Sequence, residues 1–528
     1  MKTKTSNHRI IFLPSILLPF LLPLVLVSAW SYAGPPNVLL IVSEDNGPEL
    51  GCYGDAYART PNLDKLADEG VRFNRAFVAQ AGCSQSRASF LTGLYPHQHG
   101  QIGLATWGFR MYRDDTPNLP RSLKAVGYRT GIIGKLHINP ESAFPFDFHE
   151  FTTANFNRKN LSEYARQSER FINAGEEPFF LSVNYPDAHD PWIRQVDGLP
   201  KSPQTGSDVK AMAYMGIDPP EMREMVADYY NCISRLDSLI GDLLGTLDRS
   251  GKDENTIVIY IGDHGADMLR GKRTSYEGGV RVPMIMRWPG YIKPHVEEAL
   301  VSTVDIMPTV LEAANASPVA GLPGRPLQPL MSGETATWRD YLFTEYHTHA
   351  AAPNYHPQRA VRNDRFKLIE NLLPDTLNPD YANTIRKLEG DATSRGEKGF
   401  TGGLHNAIAN ASSEVVAAYA LMETPPLYEL YDLQADPYEF HNLAASPEHA
   451  STLVDLQTQL TNWREQTKDP LLDPKNLQSL TAEVTAVTNK SEGKSRQWGY
   501  VDYFFGKASI PTTVESGKKK GKKGKKKQ

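Results

Sequence analysis

Asn37 to Ser43 (NVLLIVS) is an unbroken apolar run that ends at the acidic pair Glu44 and Asp45. It predicts a fully buried parallel strand whose carboxyl end opens on a polar loop. Arg129 to Gly134, Phe179 to Tyr185, Thr256 to Gly262 and Val282 to Arg287 are built alike: short, rich in β-branched or aromatic residues, and bounded by polar stretches. Between the runs the apolar period lengthens to that of a helix. The longest such stretch, Glu221 to Leu247, places Met225, Tyr229, Cys232, Ile233, Leu236, Ile240, Leu243 and Leu247 on one stripe. Alternating strands and helices predict an α/β fold, a large mainly parallel sheet sandwiched by helices, with a ligand site where the carboxyl ends of the strands meet.

From about Thr337 the texture changes. Tyr341 to Tyr346, Phe366 to Asn371 and Leu427 to Leu433 read as shorter strands, followed by an amphipathic stretch from Thr452 to Trp463. A smaller C-terminal α+β domain on an antiparallel sheet is expected over 337–474, after a first domain over 34–336. Residues 475–528 are polar and end in GKKKGKKGKKKQ, which reads as a solvated, disordered tail. Met1 to Ala33 has a basic start, an apolar run from Ile10 to Val27 broken by Pro14, Pro19 and Pro23, and small residues at Ser31 and Ala33. That is the form of a cleaved export signal rather than a membrane anchor, and no later segment has the roughly 18 uninterrupted apolar residues of a span.

Composition narrows the classes. The 40% hydrophobic and 22% charged residues are ordinary globular values, and 24 Tyr, 20 Phe and 7 Trp are too many aromatics for a disordered chain. The net charge of −5 hides an asymmetry: without the eight lysines of 518–527 and the leader's Lys2, Lys4 and Arg9, 45 cationic residues face 61 anionic ones. So acidic a body repels polyanions, so no nucleic-acid partner is expected and an anionic substrate needs a local cluster of cations. Three cysteines, Cys52, Cys83 and Cys232, do not make a disulfide framework.

Gly82 to Gly93 (GCSQSRASFLTG) places Cys83 just before a helix start, with Ser84 or Ser86 as the cap and Arg87 four residues on. A helix N-terminus beside an arginine favours the thiolate. The cysteine-phosphatase loop needs five residues between Cys and Arg and here there are three, so Cys83 must serve otherwise. Cys83, Ser86, Arg87, Leu91, Thr92 and Gly93 match the signature of the sulfatase family, which the chain resembles over nearly its whole mature length; Gln85 stands where that signature has Pro. The resemblance implies an alkaline-phosphatase-like fold and oxidation of Cys83 by a formylglycine-generating enzyme to an aldehyde that hydrates to a geminal diol.

The other parts of such a site follow from the chemistry. A negatively charged sulfate ester or sulfamate needs a metal, several cations, an in-line nucleophile and an acid for the leaving group. By resemblance Glu44, Asp45, Asp263 and His264, with Cys83, hold one divalent ion, most naturally Ca²⁺ given the carboxylates. Glu44 replaces the commoner Asp, and His264 the commoner Asn. Lys135 and His137 in GIIGKLHINP, His189 in NYPDAHDPW, and Lys272 match the family's sulfate-binding and proton-transferring positions; Asp187 is a candidate substrate contact or, alternatively, a turn-former in its Pro-flanked loop. In the implied reaction one diol hydroxyl attacks sulfur while Arg87, Lys135 and Lys272 neutralise its oxygens; His189 protonates the leaving group and His137 helps expel sulfate.

GIIGKLHINPESAFPFDF, LTGLYPHQHGQIGL, FKLIENL and YELYDLQADPYEFHNLA resemble the sulfamidase branch, whose substrate class is N-sulfoglucosamine of heparan-type glycans, with O-sulfate hydrolysis on another sulfated polysaccharide or an aryl sulfate as the alternative within the family. Two other classes compete: a phosphate-ester hydrolase of the same superfamily, disfavoured by the Cys-x-x-x-Arg loop and single metal cluster, and a non-catalytic binder of sulfated glycans, motivated by Gln85. Glu345, His347, His349 and His356 form a polar group after a strand that could hold sugar hydroxyls or be a solvated loop. An oligomer is possible.

Overall fold

The computed structural model describes residues 1, 34–333, 337–394, 400 and 402–504. The expected export signal and the lysine run lie outside the described residues. Among the described residues, strands make two sheets. The larger contains β1 (Asn37–Ser43), β2 (Val71–Phe77), β3 (Arg129–Gly134), β4 (Phe148–Glu150), β5 (Phe179–Tyr185), β6 (Thr256–Gly262), β7 (Arg281–Arg287), β8 (His295–Glu297) and β9 (Val301–Ser302). Its order is β4-β3-β5-β1-β6-β7-β2-β8, with β9 also on β2. β1 lies between β5 and β6 and is parallel to both, while β7 runs antiparallel to β6 and β2. Between β6 and β7 the chain forms only the short Glu277–Val280 helix, with nothing long enough to recross the sheet, so the strand returns antiparallel.

Both faces of the sheet are covered, and the strand period decides which residue meets which layer. Leu39 and Ile41 of β1, with Leu181, Val183, Val258 and Tyr260 of its neighbours, join one core with the Pro220–Arg249 helix. Val38, Leu40 and Val42, with Phe180, Ile257, Ile259 and Ile261, join the other core with the Leu119–Lys124 and Ile306–Ala313 helices. Every residue of β1 is buried, and each such aliphatic side chain stabilises the fold by about 1.5–3 kcal/mol. An aspartate at Ile41 would bury an unpaired charge and break this sheet at its centre. All eight stripe residues of the long helix are buried, and Pro220 begins it, where a missing N–H costs no bond.

The second sheet is antiparallel, β10 (Leu342–Tyr346), β11 (Gln358–Arg362), β12 (Phe366–Asn371) and β13 (Tyr428–Asp432) in that order. β11 (QRAVR) carries no strand signal in the sequence because Gln358 and two arginines leave only Ala360 and Val361 apolar. All five residues are nonetheless buried, since Arg359 reaches Asp469 at 2.9 Å through two nitrogens and Arg362 reaches Glu277 at 2.8 Å. The Ala450–Gln466 helix covers this sheet through Leu456, Leu460 and Trp463, with Phe343 stacked on Trp463. The expected border near 337 falls between the sheets, but residues from Gly34 onward cluster as one unit. Polar contacts tie the sheets together, including Tyr276 to Glu429 at 2.8 Å and Glu345 N to Ala79 O at 2.8 Å.

The expected tail is corrected over 475–504. Helices span Pro474–Thr485, Lys490–Ser495 and Tyr500–Tyr503, and Leu480, Val484, Val487, Trp498, Tyr500, Val501 and Phe504 bury themselves against Ile102, Phe109 and Tyr112. The apolar residues are sparse among polar ones but fall at helical spacing, so average composition concealed a packing face.

Candidate functional site

Four adjacent strands deliver the candidate residues to one place. Glu44 and Asp45 follow β1, Lys135 and His137 follow β3, His189 follows β5, and Asp263 and His264 follow β6, at the same edge of the parallel sheet. Cys83 is the first residue of the Cys83–Thr92 helix, all ten residues of which are buried. Its cap is Gly82, with no side-chain hydrogen bond, rather than Ser84 or Ser86. Ser84 Oγ instead accepts from Ala105 N at 3.0 Å. Asp45 and His137 adopt left-handed backbone with φ of 50° and 59°, strain of the kind that gathers at functional sites.

The buried charges interlock. Arg87 donates to Asp263 at 3.0 Å, to Asn184 at 2.8 Å and to the Lys135 carbonyl at 2.9 Å, and lies 3.7 Å from Glu44. Lys135 donates to Glu44 Oε2 at 2.6 Å, and Lys272 to both oxygens of Asp45 at 3.0 Å. Cys83 Sγ is 3.3 Å from His264 Nε2, which is 3.4 Å from Asp45 and 3.6 Å from Asp263. Burial would raise the Cys83 thiol, but Lys135, Lys272 and His264 outweigh it and hold it well below its ordinary value. Burial alone would lower His264, yet Asp263 and Asp45 raise it to about 9. The two remaining histidines diverge. Burial, reinforced by Lys135, brings His137 down to about 4, whereas Asp45 raises His189 despite its burial. His189 Nδ1 donates to the Asp190 carbonyl at 2.6 Å.

The donor set fits a divalent cation. Glu44, Asp45, Cys83 and His189 offer donor atoms within 4.8 Å of one another, as do Cys83, Asp263 and His264. Glu44 Oε1 is buried without a hydrogen bond, and burial holds that carboxyl above its usual range against the pull of Lys135 and Arg87. Three carboxylates with an orphaned oxygen suit a hard ion, and His264 adds a nitrogen tolerated more readily by softer ones.

A cavity of about 650 Å³ opens over this cluster, lined by Cys83, Lys135, His137, His189 and Lys272. That is the size of a small-molecule site. Asp187, expected to contact substrate, does not line it. It is fully buried between Arg235 and Arg158, with contacts of 2.7–2.9 Å, and these cations hold its carboxyl low despite burial. A carboxylate so placed braces the loop after β5 rather than meeting a ligand.

Sequence reasoning missed part of the wall. Phe156 stacks on His189 with ring centroids 4.1 Å apart and lies 5.3 Å from Lys135 Nζ, and nothing in FTTANFNRK signals it. His349, Lys387 and Lys490 also line the cavity. Of the expected polar group, His349 follows β10 and reaches the cavity, whereas Glu345 lies within β10, buried between His97, His347 and Arg359. Gln85 has a structural use: its amide donates to the Thr348 carbonyl at 2.6 Å and to the Ile102 carbonyl at 3.3 Å, tying the helix that carries Cys83 to the segment that carries His349. The described cysteines are all free.

Known proteins resemble this chain in sequence and fold. Human N-sulphoglucosamine sulphohydrolase is 30% identical over 488 residues, covering 85% of this chain and 93% of its own, and human arylsulfatase A is 30% identical over 499 residues, covering 83% and 90%. Among solved structures, a protein in complex with its substrate D-glucosamine-2-N,6-O-disulfate superposes with a TM-score of 0.60 at 19% identity, covering 82% of this chain and 98% of that one. The phosphonate monoester hydrolase of Agrobacterium radiobacter does so at 0.58 and 20%, covering 82% and 96%, so the fold alone does not select sulfur over phosphorus. The family described as N-sulphoglucosamine sulphohydrolase, C-terminal, matches residues 262–376, across the junction of the two sheets. The sulfatase family matches residues 36–316, and the chain belongs to it, a family of enzymes that hydrolyse sulfate esters.

Proposed function

We propose that this sulfatase removes the N-linked sulfate of a glucosamine residue in a heparan-type glycan, after Cys83 has been oxidised to formylglycine. The observation that carries the reading is the convergence of Arg87, Lys135, Lys272, His137 and His189 around Cys83 at the mouth of a buried carboxylate cluster. As a hydrated aldehyde, position 83 would supply an oxygen nucleophile for sulfur and a second hydroxyl for releasing sulfate. Glu44, Asp45, Asp263 and His264 would hold the metal, by our reading Ca²⁺, which would screen the charge of the sulfonyl oxygens.

The chain's own side chains divide the remaining tasks. Lys135 and Lys272 line the cavity and bind the sulfonyl oxygens, and Arg87 behind them keeps Asp263 ionised and oriented. His189, whose pKa Asp45 raises despite its burial, is biased toward the protonated form and delivers its proton to the leaving nitrogen or oxygen. His137, lowered to about 4, is uncharged near neutral pH and accepts the proton whose removal frees sulfate. Environments that separate two histidines in this way support an acid and base pair. Phe156 shields the acid from water by stacking on it.

The leader-like Met1 to Ala33 supports export to a periplasmic, extracellular or lysosomal compartment, and among the described residues no helix is long and apolar enough to cross a membrane. A second reading, hydrolysis of an O-linked sulfate, is favoured by the equal identity to arylsulfatase A. The deciding experiment measures intact mass of the Cys83 peptide and rates on glucosamine N-sulfate, an aryl sulfate and an aryl phosphate. Formylglycine with preference for the sulfamate supports the proposal. Preference for the aryl sulfate moves it to O-sulfates, and a quantitative thiol in native material overturns it in favour of a binding protein.

A further inference from the structure

The 474–504 segment, which composition marks as solvent-exposed, is clamped onto the wall of the cavity. Phe109 stacks on Trp498 with centroids 4.0 Å apart, Trp498 Nε1 donates to the Trp107 carbonyl at 3.0 Å, and the Tyr500 hydroxyl accepts from Arg110 N at 2.9 Å and donates to Arg110 O at 2.7 Å. Gly108, at φ +80°, passes so close that a Cβ there would lie 2.4 Å from the Gly493 carbonyl oxygen. The strap therefore fixes the turn that presents Leu104, Thr106 and Trp107 to the cavity. It also contributes a lining residue of its own, Lys490, at the start of a helix capped by Asn489, whose side chain accepts from Glu492 N at 3.1 Å.

Lys490 differs from the other cations on that lining. Lys135 is paired with Glu44, Lys272 with Asp45, Arg273 with Asp267 and Asp380, and Lys387 with Asp267 and Asp190. Lys490 is exposed and has no ion-paired carboxylate among the described residues, and Glu141 is the lining carboxylate in the same position. Each of these inner cations already has a carboxylate partner within the protein. A further anionic group on the substrate finds its uncompensated partner at Lys490.

We propose that the 474–504 strap builds an outer subsite, in which Lys490 binds a carboxylate or sulfate on the sugar next to the one being desulfated and Glu141 accepts from hydroxyls of that sugar. This rests on the reading of the substrate as a sulfated glycan but not on whether the cleaved sulfate is N-linked or O-linked. The strap then makes the enzyme prefer a sugar with an acidic neighbour over the isolated sulfated monosaccharide, although the body of the protein is acidic and repels long polyanions.

The test compares kcat/KM for N-sulfoglucosamine with that for the same sugar linked to a hexuronic acid, and repeats the comparison with the O-sulfated pair. In Lys490→Gln the preference for the acidic disaccharide, read as the ratio of the two values, falls by about three- to fivefold, the size of a partly solvated ion pair. Lys490→Arg retains the preference, and salt reduces it in the parent enzyme. An unchanged ratio in every hydrolysed series overturns the inference. Turnover of the O-sulfated pair alone, with the ratio still dependent on Lys490, overturns the sulfamate reading and leaves the subsite standing. Calorimetry with Cys83→Ala protein and the same saccharides reads the ratio as affinities where no turnover occurs, and equal affinities with and without Lys490 refute the subsite directly.

Discussion

The floor of the cavity and its outer wall are built on opposite principles. The floor is held by strand ends and one buried helix, and its charges are locked in pairs such as Arg87 with Asp263 and Lys135 with Glu44. The wall is assembled from distant loops, Phe156 before β5, His349 after β10, and Lys490 from the last helices, and it holds charges left open to solvent. On the proposed reading, reaction chemistry, which needs fixed geometry, sits on strand ends and a buried helix, whereas recognition of the rest of the substrate falls to loop segments.

The sharpest way to break this contrast is to remove one floor residue. Cys83→Ala should lower kcat by at least about 10⁴-fold with the melting temperature retained, as expected for loss of a nucleophile. Assays with glucosamine N-sulfate and a calorimetric scan check both halves. His189→Ala should cost about 10²–10⁴-fold on substrates with poor leaving groups and less on an activated aryl sulfate, whose departing oxygen needs no proton. Equal losses on both would remove His189 from the acid role.

Asp187→Ala should act on stability instead. With Arg158 and Arg235 left buried and unpaired, denaturant unfolding should show a loss of about 3–5 kcal/mol while KM moves less than the stability does. A selective rise in KM would return Asp187 to the substrate. Stability should also fall in acid. Burial lowers His99 to about 3 and His356 to about 4, so between the unfolded value of 6.5 and those folded values the unfolded chain binds more protons. Stability is then complete above about pH 6.5 and declines as pH falls toward 4, by up to about 1.4 kcal/mol per pH unit for each histidine, read from denaturant midpoints. His356→Asn should flatten that slope. The smallest effect belongs to Gln85→Ala, which removes two hydrogen bonds to buried carbonyls and should cost about 1–3 kcal/mol with chemistry at position 83 retained.

The same contrast explains what the sequence discloses. Asn37–Ser43 announces its strand and its acidic pair together because a doubly covered strand must be apolar throughout and its end must be polar. The Lys135 and Asp263 segments follow the same logic, and the structure brings Glu44, Asp45, Cys83, Arg87, Lys135, His137, His189, Asp263, His264 and Lys272 to one place. Asp187 misleads because one residue type braces loops and binds ligands alike, and only its burial between two arginines separates the uses. β11 and the 475–504 strap are hidden for a different reason. Their stability comes from partners far along the chain, Asp469 for Arg359 and Phe109 for Trp498, and no local pattern encodes a contact of that range.

The complete burial of the Cys83–Thr92 helix has a temporal corollary. On the proposed reading that Cys83 is oxidised to formylglycine, the oxidising enzyme must reach the chain before the sheet closes over that helix, because none of its residues is accessible afterwards. On that reading the window for conversion shuts when the molecule folds, and the specific activity of a preparation records how fast maturation ran against folding.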